Sequence, residues 1–197
     1  LHVVFDLDGI LVDSEPLWAE AIVEALRDLG AAYRSELEPR HRGMKMGELV
    51  PFLLAEHRSS AGPAVFAQRL IDALVARFPR LEPLPGAERA LGLARARGKV
   101  ALASGSPLEV IRRVLDRFGW LFDAVCSADE VLRGKPAPDV FLLAARRLGA
   151  APADCIAIED SSNGIRSAKA AGMRVIAVGD AEGPADVRLA SLESLVL

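Results

Sequence analysis

Short apolar runs alternate with longer segments of helical period along most of the chain. Residues 3–5, 100–103, 124–126, 156–158 and 175–178 contain only Val, Ile, Leu, Ala, Phe and Cys, the pattern of strands buried on both faces. Between them, residues 87–97, 107–118, 138–148 and 163–171 carry apolar positions three or four apart. Gly98, Gly119, Gly149 and Gly172 stand where such helices would stop. Strand, helix and strand in that rhythm predict an α/β fold, a doubly wound, Rossmann-like parallel sheet covered on both faces.

One stretch breaks the rhythm. Residues 15–78 contain no convincing strand. Leu17, Ala21, Ile22, Ala25, Leu26 and Leu29 form one stripe of a helix over 17–29, and 47–57 and 63–78 also read as helical. Pro79, Pro83 and Pro85 then punctuate the return to alternation. The expected organisation is a discontinuous core, 1–14 and 79–197, carrying a small helical insert over 15–78.

Composition narrows the partners. A chain of 197 residues suits one large domain, or one with a smaller insert, at about 150 residues per domain. The net charge is −3 with no basic block, so nucleic acid is not an expected partner. No apolar run approaches the roughly 18 residues of a membrane span. The two cysteines, Cys126 and Cys155, form no C-x-x-C pair, and no signal-peptide pattern opens the chain, so a reducing cytoplasmic compartment is expected. With no exposed apolar stripe evident, a monomer is the default.

The candidate chemistry sits at strand ends. Asp6 and Asp8 are two apart at the end of the first strand and project to the same side, and Gly9 lets the backbone turn away. Adjacent carboxylates repel unless a cation or a shared proton compensates. An EF-hand reading of Asp6, Asp8, Gly9 and Glu15 fails, because the loop would have to start at Val4 inside an apolar strand. Residues 100–103 lead into Ser104-Gly105-Ser106 and Pro107 at a helix start, a hydroxyl beside free N–H groups that suits an anion. Lys135, one of only four lysines, lies between Gly134 and Pro136 on a proline-stiffened loop. Glu159 and Asp160 follow the strand at 156–158, and Ser161 and Ser162 precede the next helix. Ligands of open parallel sheets bind at the carboxyl edge. An anion site, a lysine and two acidic pairs gathered there suit a phosphate held through a divalent metal.

With these motifs the chain resembles the haloacid dehalogenase-like superfamily, along nearly its whole length. Asp6-Leu7-Asp8-Gly9, Ser104, Lys135 and Glu159-Asp160 look like its four motifs in order. Residues 13–18 and 101–108 are similar to the branch holding hexitol and hexose phosphatases and beta-phosphoglucomutases. The resemblance implies a Mg²⁺-dependent phosphatase acting on a small-molecule phosphate ester, a sugar or sugar-alcohol phosphate, through an aspartyl-phosphate. Asp6 would be the nucleophile and Asp8 the general acid and base. Mg²⁺ would be held by Asp6, the Asp8 carbonyl and Asp160, with Glu159 in its first or second ligand layer. Ser104, Gly105 and Lys135 would hold phosphate oxygens. The insert would be the cap, where Trp18, Arg42 and Lys45, with Ser106 of the core, are candidate substrate contacts. The family's sugar-phosphate isomerases carry a histidine where this chain has Trp18 and an arginine near Met46, so an isomerase is the alternative and hydrolysis the expectation. A non-catalytic phosphate-binding protein is disfavoured by the intact Asp6, Asp8, Lys135 and Asp160. The segment after Gly179 is shorter than usual in the family, which predicts an abbreviated last strand or helix.

Overall fold

The computed structural model describes residues 1–37, 40 and 44–197. The chain forms two compact units, Leu1–Asp13 with Glu82–Leu197, and Ser14–Leu81. The first holds a sheet of β1 (His2–Phe5), β2 (Val100–Ser104), β3 (Ala124–Ser127), β4 (Cys155–Glu159), β5 (Arg174–Val178) and β6 (Val187–Leu189). The strand order is β3-β2-β1-β4-β5-β6, and every neighbouring pair is parallel. Five strands lie where the apolar runs predict them. Each is longer than its run, and the extensions take Ser104 and Glu159 into strand ends.

The sixth strand is absent from the sequence reading. Val-Arg-Leu is three residues long, none buried, and pairs only with β5. Its position is fixed from outside the ladder. Asp186 accepts a hydrogen bond from the Val175 N–H at 2.7 Å and pairs with Lys169 at 2.9 Å. No periodicity announces a strand held this way.

Helices follow in chain order. α1 (Glu15–Arg27), α2 (Met46–Glu56) and α3 (Pro63–Ala76) belong to the second unit. α4 (Ala87–Arg97), α5 (Leu108–Phe118), α6 (Asp139–Leu148) and α7 (Ser162–Ala170) belong to the first. α1 ends two residues before the predicted Leu29, which is only partly buried; Leu17, Ala21, Ile22, Ala25 and Leu26 make its buried stripe. Within that unit α3 packs against both α1 and α2. Among the described residues no helix is long and apolar enough to cross a membrane.

Register explains how α6 and α7 come close to the sheet. Ala101, Ala103, Ala124, Cys126, Cys155, Ala157 and Ala177 line one face of the core, all small. Small side chains let a helix approach, and the space is filled from the helix side by Val140, Phe141, Leu143 and Leu148. On the other face α4 contacts β1 and β2. β1 sits where the order reverses, with β2 on one side and β4 on the other, so the polar ends of β1, β2 and β4 share one crevice. Beyond β1, Val12 bridges Pro83 in antiparallel fashion, and Leu84 N–H donates to the Leu11 carbonyl at 2.9 Å.

Candidate active site

Asp6 follows β1 directly, and its N–H donates to the Ile158 carbonyl of β4 at 3.0 Å. That bond carries the strand pairing one residue further and fixes the Asp6 backbone. The chain then turns at Gly9, whose φ is +81°, a conformation that favours glycine. A Cβ on Gly9 would lie 2.0 Å from Asp160 Oδ2. Glycine is therefore required twice, for the turn and for the close approach of Asp160.

Lys135 reaches in from the loop after β3. Its Nζ lies 2.9 Å from Asp6 Oδ1 and 2.5 Å from Glu159 Oε1, and 5.1 Å from the centroid of the Phe141 ring. The Asp6 contact is a charge pair and not an aligned hydrogen bond. The Lys135 loop is tied down at its far end, where Ser167 Oγ of α7 donates to the Ala137 carbonyl at 2.5 Å.

Glu159 is fully buried. Its Oε2 accepts from the Asp160 N–H, the Ser161 N–H and the Ser161 hydroxyl, each at 3.0 Å. With Oε1 on Lys135, both of its oxygens are engaged. Glu159 thus holds the lysine and the start of α7 in place. The cradle has no spare room, because a Cβ on Gly164 would lie 1.7 Å from Glu159 Oε1. The only sign of this role in the sequence is the place of Gly164 in the first turn of a helix beyond an acidic pair.

Asp8 lies on the other side of the crevice. Its Oδ2 accepts from the Ser106 hydroxyl at 2.7 Å and from the Ser104 hydroxyl at 3.2 Å. Gly105 between them is partly buried. The structure therefore joins Asp6, Asp8, Ser104, Ser106, Lys135, Glu159 and Asp160 in one unit. Trp18, on α1, and Lys45, at the start of α2 with its Nζ 3.9 Å from Glu48, belong to the helical unit. Arg42 lies outside the described residues.

Four carboxylates face one ammonium here. Burial chiefly raises the Asp6 pKa well above its ordinary value; Lys135 opposes the rise, and Glu159, Asp160 and Asp8 add to it. Asp160 is pushed up to about 7 by burial and by the charge of Glu159. Burial pulls Lys135 down, but Asp6 and Glu159 more than offset it and the ammonium persists. Among the described residues the cluster is short of positive charge. Asp6, Glu159 and Asp160 offer oxygens within 4.8 Å of one another, and Asp160 Oδ1 is buried without a hydrogen bond. An all-oxygen donor set with an orphaned carboxylate oxygen fits a hard divalent cation such as Mg²⁺.

A pH dependence follows for the metal-free protein. The Asp160 and Asp6 pKa values lie above those of an unfolded chain, so the folded state binds more protons. The Asp160 contribution is fully present below about pH 4 and is lost as pH rises through about 7, and Asp6 acts in the same direction. Thermal unfolding in EDTA should fall across that window, and millimolar Mg²⁺ should restore stability most at its upper end. A metal-free melting temperature that rises from pH 5 to 7.5 would contradict this account of the cluster.

The chain is also similar to known proteins. The model of the haloacid dehalogenase-like hydrolase family matches residues 2–172. The chain is 38% identical to hexitol phosphatase B of Escherichia coli K12, over 99% of this chain and 94% of that protein. It is 34% identical to the phosphorylated carbohydrates phosphatase of Thermotoga maritima, over 88% of this chain and 82% of that one. Among solved structures, CbbY of Rhodobacter sphaeroides in complex with phosphate superposes with a TM-score of 0.89 at 27% identity, covering 98% of this chain and 95% of that one.

Proposed function

The chain belongs to the haloacid dehalogenase-like hydrolase family and is a phosphoric monoester hydrolase, and on that premise we propose that it is a Mg²⁺-dependent phosphatase of small sugar or sugar-alcohol phosphates working through an aspartyl-phosphate. The observation that carries this is Asp6 paired to Lys135 at 2.9 Å while Asp8, two residues on, hangs from two serine hydroxyls. One carboxylate lies against the ammonium and the other is held apart from it. That division suits a nucleophile and a proton carrier.

Asp6 would attack phosphorus in line, and the ester oxygen would leave on the opposite side. Lys135 offsets charge on the transferring group and opposes the rise of the Asp6 pKa. Ser104 Oγ and the N–H groups near Gly105 supply donors to phosphate oxygens. Asp8 protonates the leaving alkoxide, then deprotonates the water that attacks the aspartyl-phosphate. Asp6, Asp160 and the Asp8 carbonyl would hold Mg²⁺, with Glu159 behind them holding Lys135. The cation would supply charge neutralisation and draw carboxylate and phosphate together. Preference for a carbohydrate ester rests on the names of the relatives, and we assign substrate choice to the helical unit that carries Trp18 and Lys45.

Phosphate release from hexitol, hexose, nucleoside and glycolytic phosphates, with Mg²⁺ and with EDTA, tests this reading. Metal-dependent release, fastest from hexitol or hexose phosphates, is expected. Accumulation of an isomer in place of phosphate would replace hydrolysis with phosphoglucomutase-type chemistry. Inertness toward every ester would overturn the reading.

A further inference from the structure

Ser104 has one hydroxyl proton and two claimants for it. In the structure it goes to Asp8 Oδ2 at 3.2 Å, while the same oxygen accepts the Ser106 N–H at 2.9 Å. If Ser104 also receives the substrate phosphate, as proposed above, its proton must turn to a phosphate oxygen, because one O–H cannot serve both. Asp8 then loses one of the two hydroxyls that fix its orientation. The Ser106 hydroxyl, 2.7 Å from the same Oδ2, keeps its place on the carboxylate.

Ser106 is built for that task. It is 7% exposed. Its carbonyl accepts from the buried Ser127 hydroxyl at 2.7 Å, and its N–H is engaged by Ser104. Two residues further on, the Leu108 N–H donates to Asp129 at 3.1 Å, so the loop between β2 and α5 is pinned to the end of β3 at two points. A surface serine would reorient freely; this one is held by its backbone on both sides. Its single proton goes to Asp8, so toward a substrate it offers an acceptor and not a donor.

We infer that Ser106 is a positioning residue for Asp8, keeping the acid–base carboxylate aimed at the leaving oxygen when Ser104 turns to the phosphate. The inference rests on the phosphatase reading. A fixed hydroxyl on the carboxylate restrains its rotation about the side-chain bond; loss of that restraint shifts the carboxylate, and a misplacement of about 1 Å can cost about 10²-fold.

The test is the dependence of kcat/KM on the leaving group, measured with Mg²⁺ from p-nitrophenyl phosphate to alkyl phosphates. Nitrophenolate leaves without a proton and alkoxide does not. The wild-type protein is expected to depend only weakly on the leaving group, and Asp8→Asn strongly. Ser106→Ala should lose roughly 10- to 100-fold on alkyl esters and less than about threefold on p-nitrophenyl phosphate, whose retained turnover also reports a folded protein. Ser106→Cys keeps the side-chain volume with only a weak donor, and should show the same split should the alanine variant not fold. Equal losses on both ester classes, or none on either, would overturn the inference and leave the phosphatase reading standing. A wild-type protein inert toward every ester would overturn both.

Discussion

Asp6→Asn is expected to abolish phosphate release while leaving a folded protein that still binds inorganic phosphate in the presence of Mg²⁺. An amide is no nucleophile toward phosphorus, and removing a group the reaction passes through costs on the order of 10⁴-fold or more. The fold should not suffer. Asp6 is one of four carboxylates beside a single ammonium, and burial already disfavours its charge. Replacing it with a neutral group of the same shape relieves repulsion from Glu159 and Asp160. The metal-free variant should therefore melt at the same temperature as the wild type or higher. Turnover that persists after deamidation has been excluded by mass spectrometry would end the role given to Asp6.

Gly164→Ala should be the most damaging substitution outside the reacting groups. Helix propensity alone favours it, because alanine in a helix is better than glycine by about 1 kcal/mol. Here the new methyl would stand 1.7 Å from Glu159 Oε1. Glu159 is fully buried and bonded through both oxygens, so it has nowhere to retreat without releasing Lys135 or the start of α7. Breaking a buried charge pair on one side costs about 3–5 kcal/mol, several times the helical gain. Urea unfolding should show a loss of that order, and turnover should fall with it as Lys135 leaves Asp6. A variant as stable and as active as the wild type would mean that the cradle around Glu159 yields more easily than its contacts imply.

The sequence carried the sheet and the reacting groups for separate reasons. β1, β2, β4 and β5 are legible because a parallel sheet buries both strand faces and writes apolar runs. Asp6 and Asp8 are legible as a pair because alternation puts them on one side. β6 is not legible, since its place depends on Asp186 holding the Val175 N–H, a contact across eleven residues. The partners of Asp8 are equally hidden. Ser106 sits 98 residues away in sequence, and only the parallel pairing of β1 with β2 brings it to the carboxylate. Glu159 looked like a possible metal ligand from its position beside Asp160. In the structure its oxygens also meet Lys135, Ser161 and the backbone, contacts that its neighbour in sequence does not announce.

The bridge between Val12 and Pro83, with Leu84 bonded to Leu11, makes the outgoing and returning chains of the helical unit neighbours at a single point of the sheet. Topologically the sixty-odd residues between them are a side loop. Among the described residues they contribute no strand, and β1 to β6 all come from the other unit. Chain closure hardly resists such changes, since doubling a loop costs only about 0.6 kcal/mol. The insert is in effect a cassette, encoded by one uninterrupted stretch and entered and left through one doorway. On the reading proposed above, exchanging it would rewrite substrate preference and leave the carboxylates and the lysine at the crossover of the sheet in place.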